Sequence, residues 1–157
     1  MLKLAKLTDY ATVLMTVMAA EHGRQFSTQE LAERSHLGLA TTAKLLKQLA
    51  RGGLVESARG QHGGYRLRRT PAQITVADVV DAVEGPIAVT RCSIHSGGCS
   101  IETSCGTRAN WQLINLAIRN ALEAVTLEQM AASPSARPQG PPEVPVRFAP
   151  EIGRAHV

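Results

Sequence analysis

Ser27-Thr28-Gln29-Glu30-Leu31-Ala32-Glu33-Arg34, then His36-Leu37-Gly38-Leu39, then Ala40-Thr41-Thr42-Ala43-Lys44-Leu45-Leu46-Lys47-Gln48-Leu49-Ala50-Arg51, is the stretch that decides the fold. Ser27 is an N-cap residue type and Glu30 stands three positions on, the spacing of a capping box, so a helix start is specified there. Residues 36–39 make a short turn. The next segment puts Leu45, Leu46 and Leu49 on one side at helical spacing. It leaves Thr41, Thr42, Lys44, Lys47, Gln48 and Arg51 outside, and Gly52-Gly53 ends it. Two short helices across a tight turn, the second with hydroxyls and cations on its outer face, suit insertion into a DNA major groove.

Downstream, Leu54-Val55-Glu56-Ser57 and Tyr65-Arg66-Leu67-Arg68 read as two short strands around the Gly-rich turn Arg59-Gly60-Gln61-His62-Gly63-Gly64. A hairpin in this place is a wing. Arg59 at its tip has the chemistry to enter a narrow, electronegative minor groove, and His62 lies in the same turn. Thr28, at the start of the second helix, joins the candidate DNA contacts. Upstream, a first helix is expected from Thr8, as its cap, to about residue 21, with Leu7, Ala11, Leu14 and Met18 inward. Past Pro71, Thr75 caps a fourth helix over 76–84, which stops at Gly85-Pro86. The expected fold is mainly α with a small β-hairpin wing: a winged helix-turn-helix plus a long dimerisation helix.

Charge agrees with this division. Residues 1–70 carry eleven Lys/Arg against five Asp/Glu, whereas residues 71–157 carry six against eight. The basic half is the half that meets phosphates. With 44% hydrophobic and only 3% aromatic residues, the core must be aliphatic and Met-rich. No apolar run approaches the roughly 20 residues of a membrane helix, and the N-terminal stretch does not read as a signal peptide. The expectation is a cytoplasmic protein without membrane or small-molecule substrate. Nucleotide loops and catalytic triads are missing from the sequence, so an enzyme is not expected.

All three cysteines fall in one loop, Cys92-x6-Cys99-x5-Cys105. An odd, clustered set in a cytoplasmic chain favours metal or redox chemistry over disulfides. Thiolates suit both iron–sulfur clusters and zinc. The wide, uneven spacing leans toward a cluster, because structural zinc favours closer pairs. Three thiolates leave a fourth ligand to be found, and zinc completed by His95 is the alternative. After the loop, a helix over about 107–124 carries an apolar stripe of Trp111, Ile114, Ile118, Ala121 and Leu122, continued by Val125, expected to pair two copies as a homodimer. A short helical piece is expected around 126–130, and a Pro-, Gly- and Ser-rich flexible tail over 133–157. The division is 1–85 for the DNA-binding head, 86–106 for the cysteine loop, 107–132 for the dimerisation region and 133–157 for the tail.

The start Leu4-Ala5-Lys6-Leu7-Thr8-Asp9-Tyr10-Ala11, the run Leu31-Ala32-Glu33-Arg34, the segment 53–60, Gly63-Gly64-Tyr65-Arg66-Leu67, the segment 75–85 and the cysteine loop together resemble IscR/NsrR-type winged-helix regulators of the Rrf family, over about residues 1–131. The N-terminal wording most resembles regulators of SUF iron–sulfur assembly. The resemblance implies a homodimer on a palindromic operator in double-stranded DNA, with one iron–sulfur cluster per subunit, 2Fe–2S rather than 4Fe–4S. It implies Cys92, Cys99 and Cys105 as ligands, Arg59 as the wing arginine, and Thr41, Thr42 and Lys44 on the recognition helix. There are departures. A His completes the IscR-type cluster three residues after the last cysteine, and here that residue is Arg108. The Cys92–Cys99 gap is also one residue longer than the family's. Nitric-oxide-sensing relatives use an N-terminal Asp of the partner subunit, and Asp9 stands at that place, with His95 and Glu102 as candidates inside the loop. The implied function is control of iron–sulfur assembly genes by cluster status. The alternatives are a nitric oxide or redox sensor of the same family, or a zinc-stabilised DNA-binding module.

Overall fold

The computed structural model describes residues 4–58, 60, 63–90 and 105–132. Helix α1, Lys6–Ala20, is the spine of the head and buries Ala11, Leu14, Met15, Met18 and Ala19. Its start differs from the sequence reading. Ala5 is the cap residue and supplies no side-chain bond. Thr8 lies inside the first turn, fully buried. The capping role falls to Glu84 from across the fold, whose Oε1 accepts from the Ala5 N–H at 2.9 Å and from the Thr8 hydroxyl. A carboxylate at a helix N-terminus satisfies an orphan donor and complements the dipole, so a distant acid does the work expected of Thr8.

Helix α2, Thr28–Ser35, starts as expected: Ser27 Oγ accepts from the Glu30 N–H at 3.1 Å. Only half of the capping box forms, because the Glu30 carboxylate turns to Arg24 at 2.6 Å and Arg34 at 3.6 Å. The turn is set by His36, left-handed at φ 55°. Helix α3, Leu39–Arg51, then crosses the head with Leu45, Leu46 and Leu49 fully buried.

Strands β1, Val55–Ala58, and β2, Gly64–Leu67, pair antiparallel in the register Val55 to Leu67 and Ala58 to Gly64. Phe26 adds a third rung that the sequence does not announce. Its N–H reaches the Tyr65 carbonyl at 2.9 Å, and its carbonyl takes the Tyr65 N–H at 2.7 Å. Gly64 is required here for space, since a Cβ at that position would strike the Phe26 carbonyl. The wing is thereby pinned to the entry of α2 rather than hanging from its own hairpin.

After a 3-10 turn at Pro71–Gln73, α4, Val76–Glu84, opens with a complete capping box between Thr75 and Asp78. Helix α5, Arg108–Glu123, buries no residue. Its expected stripe divides. Ile118 and Leu122 turn to the head and, with Leu4, Val80, Pro86 and Ile87, line a cavity of about 410 Å³. Trp111, Leu113, Ile114 and Leu116 remain 38–46% exposed. The chain then returns to the head. The Val76 N–H bonds the Val125 carbonyl and the Leu127 N–H bonds the Ile74 carbonyl, both at 2.9 Å. Helix α6, Leu127–Ala131, packs on α1 with Leu127 fully buried. The expected short helical piece is therefore present, and it completes the core of the head.

Candidate nucleic-acid interface and cysteine site

Three leucines of α3 anchor it in the core, which fixes the direction of its other face. Lys44, Lys47 and Arg51 are exposed and form no ion pair among the described residues. That distinguishes them from Arg24, Arg34, Arg66, Arg69 and Arg119, each held by a carboxylate. Unpaired cations on an anchored helix are free to meet phosphates and base edges. Thr28 and Thr41 are half-buried. Gln48 is half-buried too, and its Oε1 is shut from solvent with no hydrogen-bond partner among the described residues. Thr42 corrects the sequence reading. It is fully buried, and its hydroxyl donates to the Gly38 carbonyl at 3.2 Å, one turn back. With its hydroxyl turned back to that carbonyl and no surface left to solvent, Thr42 does not belong to the outer face of α3.

Arg59 and His62 lie outside the described residues. On the described strands, Glu56 pairs with Arg66 across the hairpin at 2.5 Å. The Gly63 N–H closes on the Gly60 carbonyl at 2.8 Å.

Of the cysteines, Cys105 is described. Cys92 and Cys99 lie outside the described residues, as do His95 and Glu102. Among the described residues no three His, Cys, Asp or Glu side chains gather as a metal-ligand set. Cys105 is a free thiol at the foot of α5, 3.3 Å from the Thr107 hydroxyl. That hydrogen bond lowers its pKa, with the Thr107 and Arg108 backbone and the Arg108 charge adding to the effect. The thiolate is the ligating form, so this donor suits a thiolate-bound metal group. Arg108 is the first residue of α5 and half-buried. Asp9 is exposed in the first turn of α1, the same turn that Glu84 holds.

Sequence reasoning missed the polar ladder on α5. Asn115 bonds the backbone at Ile87 and Val89, and Arg119 reaches Asp81 at 3.0 Å and Glu123 at 2.8 Å. The available signal was a lone amide between Ile114 and Leu116.

Among the described residues no helix is long and apolar enough to cross a membrane. The model of the Rrf2 family, described as iron-dependent transcriptional regulators, matches residues 4–133. A helix-turn-helix-type transcriptional regulator of Haemophilus influenzae is 32% identical over 130 residues, covering 82% of this chain and 86% of that protein. Among solved structures, CymR, the global cysteine regulator of B. subtilis, superposes with a TM-score of 0.65 at 30% identity, over 83% of this chain and 97% of that one. IscR of T. potens superposes with a TM-score of 0.63 at 28% identity, over 88% and 94%. These relatives are transcriptional regulators and not enzymes, and the basic winged-helix head accounts for DNA binding. On the match over 4–133 and these likenesses, the chain belongs to the Rrf2 family of winged-helix transcriptional regulators.

Proposed function

We propose that the chain acts as a homodimeric repressor on a palindromic operator, with an iron–sulfur cluster on Cys92, Cys99 and Cys105 as its signal, and that it controls iron–sulfur assembly genes of the SUF type. The observation that carries this reading is the position of Cys105. The Cys105 thiol stands three residues before the helix whose exposed side, Trp111, Leu113, Ile114 and Leu116, is suited to pairing two copies. A cluster there would supply a redox- and iron-labile crosslink between the loop and α5. The named likeness to IscR supports an iron–sulfur group, and the family's description supports dependence on iron.

The fourth ligand proposed is Asp9 of the second copy, followed by His95 and Glu102. Asp9 is exposed and Arg108 occupies the place of the family's His. An oxygen ligand makes one iron more labile than full sulfur ligation, which fits a sensor. A carboxylate-completed site also favours the second reading, a sensor of nitric oxide or redox state. DNA contacts proposed are Thr28, Thr41, Lys44, Lys47, Gln48 and Arg51 on the helices, with Arg59 and His62 on the wing.

Anaerobic purification followed by iron, sulfide and zinc analysis, with sedimentation of the same sample, tests the proposal. Iron and sulfide in a dimer, lost in Cys105→Ser and released faster in Asp9→Ala, is the expected result. A colourless chain with one zinc, even after reconstitution with iron and sulfide, overturns the cluster. A monomer at micromolar concentration overturns the dimer.

A further inference from the structure

Leu39 is the first residue of α3 and is 51% exposed, the most open large apolar side chain among the described residues. The others lie on or beside α1 and on α5, so Leu39 is the one that stands on the helix with the unpaired cations. Its neighbours do not cover it: Gly38 precedes it, exposed Ala40 follows, and half-buried Ala43 stands one turn on. Nothing in the chain requires glycine at position 38. Its backbone is ordinary, φ −63° and ψ 141°, and a Cβ there would meet nothing within 4 Å. A Ser, Thr, Asn or Asp would add a side-chain cap to α3, yet the helix starts without one. The start of α3 is thereby left bare around a protruding leucine, as the close approach of another molecule to backbone requires.

The chemistry of the outer face changes along the helix. At about 100° per residue, Ala40, Lys44, Lys47 and Arg51 fall within about 60° of one another. All four are exposed, so this stripe is small and apolar at its start and cationic after it. Cations on phosphates position a DNA-binding helix, whereas contacts to base edges specify the sequence. The N-terminal residues of a recognition helix are those that reach base edges. Each Cα–Cβ bond of a helix leans toward its N-terminus, so the Leu39 side chain extends past the first turn. The apolar group that the major groove offers such a side chain is the methyl of thymine.

We propose that Leu39 is a specificity-determining residue: it packs on the 5-methyl group of a thymine in the major groove, while Lys44, Lys47 and Arg51 meet phosphates. This rests on the reading of α3 as the helix that contacts DNA. A leucine serving only the stability of α3 would not distinguish a thymine from the same base without its methyl group.

The test uses the full chain, purified anaerobically, and a duplex that it selects from a random pool. Each thymine of that duplex is replaced in turn by uracil, which pairs in the same way and lacks the methyl group. At the thymine that Leu39 reads, the parent should lose about fourfold in affinity, the worth of one buried methyl. In Leu39→Ala the same replacement should cost less than twofold. Leu39→Gln, polar and a good helix former, should lose the uracil penalty too, and it carries the comparison if the alanine chain fails to fold. Leu39→Ala should leave the salt dependence of binding unchanged, whereas Lys44→Ala should lower its slope by about one unit. A parent indifferent to every uracil replacement overturns the proposal, as does a penalty of the same size in parent and Leu39→Ala. If Lys44→Ala still lowers the slope in those cases, α3 remains the DNA-contacting helix and only the Leu39 contact is lost. A parent that binds no duplex more tightly than random DNA refutes the reading of α3 on which the proposal rests.

Discussion

Gly52 ends α3 with ordinary right-handed backbone, φ −74° and ψ −2°, so its conformation does not require glycine. Its surroundings do. A Cβ there would stand 2.5 Å from the Ala82 Cβ and 3.2 Å from the Ala82 Cα. Carbon pairs settle at about 3.5–4.0 Å, so α3 and α4 would have to part by about 1 Å. Overpacking of this kind costs about 1–3 kcal/mol, against about 0.4–1 kcal/mol returned by the stiffer unfolded chain. Gly52→Ala is therefore expected to lower stability by about 1–2 kcal/mol. Ala82→Gly alone should cost about 1 kcal/mol as a helix-interior glycine. Combined, the two changes remove the tighter contact, so their losses should fall short of additive by about 1 kcal/mol. Urea unfolding followed by circular dichroism measures all four corners of the cycle. Additive losses, or a Gly52→Ala chain as stable as the parent, would refute the claim that the closeness of Ala82 on α4 is what requires glycine at position 52.

Leu127→Ala should cost about 2–5 kcal/mol in the same assay, because the side chain is fully buried between α6 and the head; a loss below 1 kcal/mol would detach α6 from the core. Glu21 has its pKa lowered from 4.5 to about 2, first by Arg34 and then by Arg24. A lowered folded pKa means that the ion pair's contribution is complete above the ordinary carboxylate value and is lost as pH falls from about 4.5 toward 2. Carboxyl titration by NMR should show this low midpoint, and Arg34→Gln should raise it; an unmoved midpoint would contradict the pairing. Lys44→Ala should reduce the salt dependence of DNA binding by about one unit of slope, whereas Thr42→Val, altering a buried hydroxyl, should leave the slope unchanged.

The winged-helix layout was legible because its signals are local: Ser27 as a cap, leucines at helical spacing, glycines around a hairpin. The exposed cations of α3 were legible for the same reason, since three buried leucines define the opposite face of the helix. Thr8 and Thr42 were misread because threonine favours caps and outer faces; the partner that holds Thr8 is tertiary, Glu84 from across the fold, whereas Thr42 bonds locally to the Gly38 carbonyl four residues back. The apolar stripe of α5 was visible as a whole. Its division between a head-facing part at Ile118 and Leu122 and an open part at Trp111 and Ile114 depends on where α4 lies. Asn115 was overlooked because a single amide in a helix has no pattern; only its partners 26 and 28 residues away give it meaning.

The most direct test of the central claim measures one affinity in two states. Duplexes selected from a random pool by the anaerobically reconstituted protein serve as the operator, and fluorescence anisotropy follows binding before and after the metal group is removed by chelation. The account predicts a palindromic selected site and at least a tenfold change in affinity on removal, abolished in Cys105→Ser. Equal affinity in the two states, with the metal shown to be present and then gone, would contradict it.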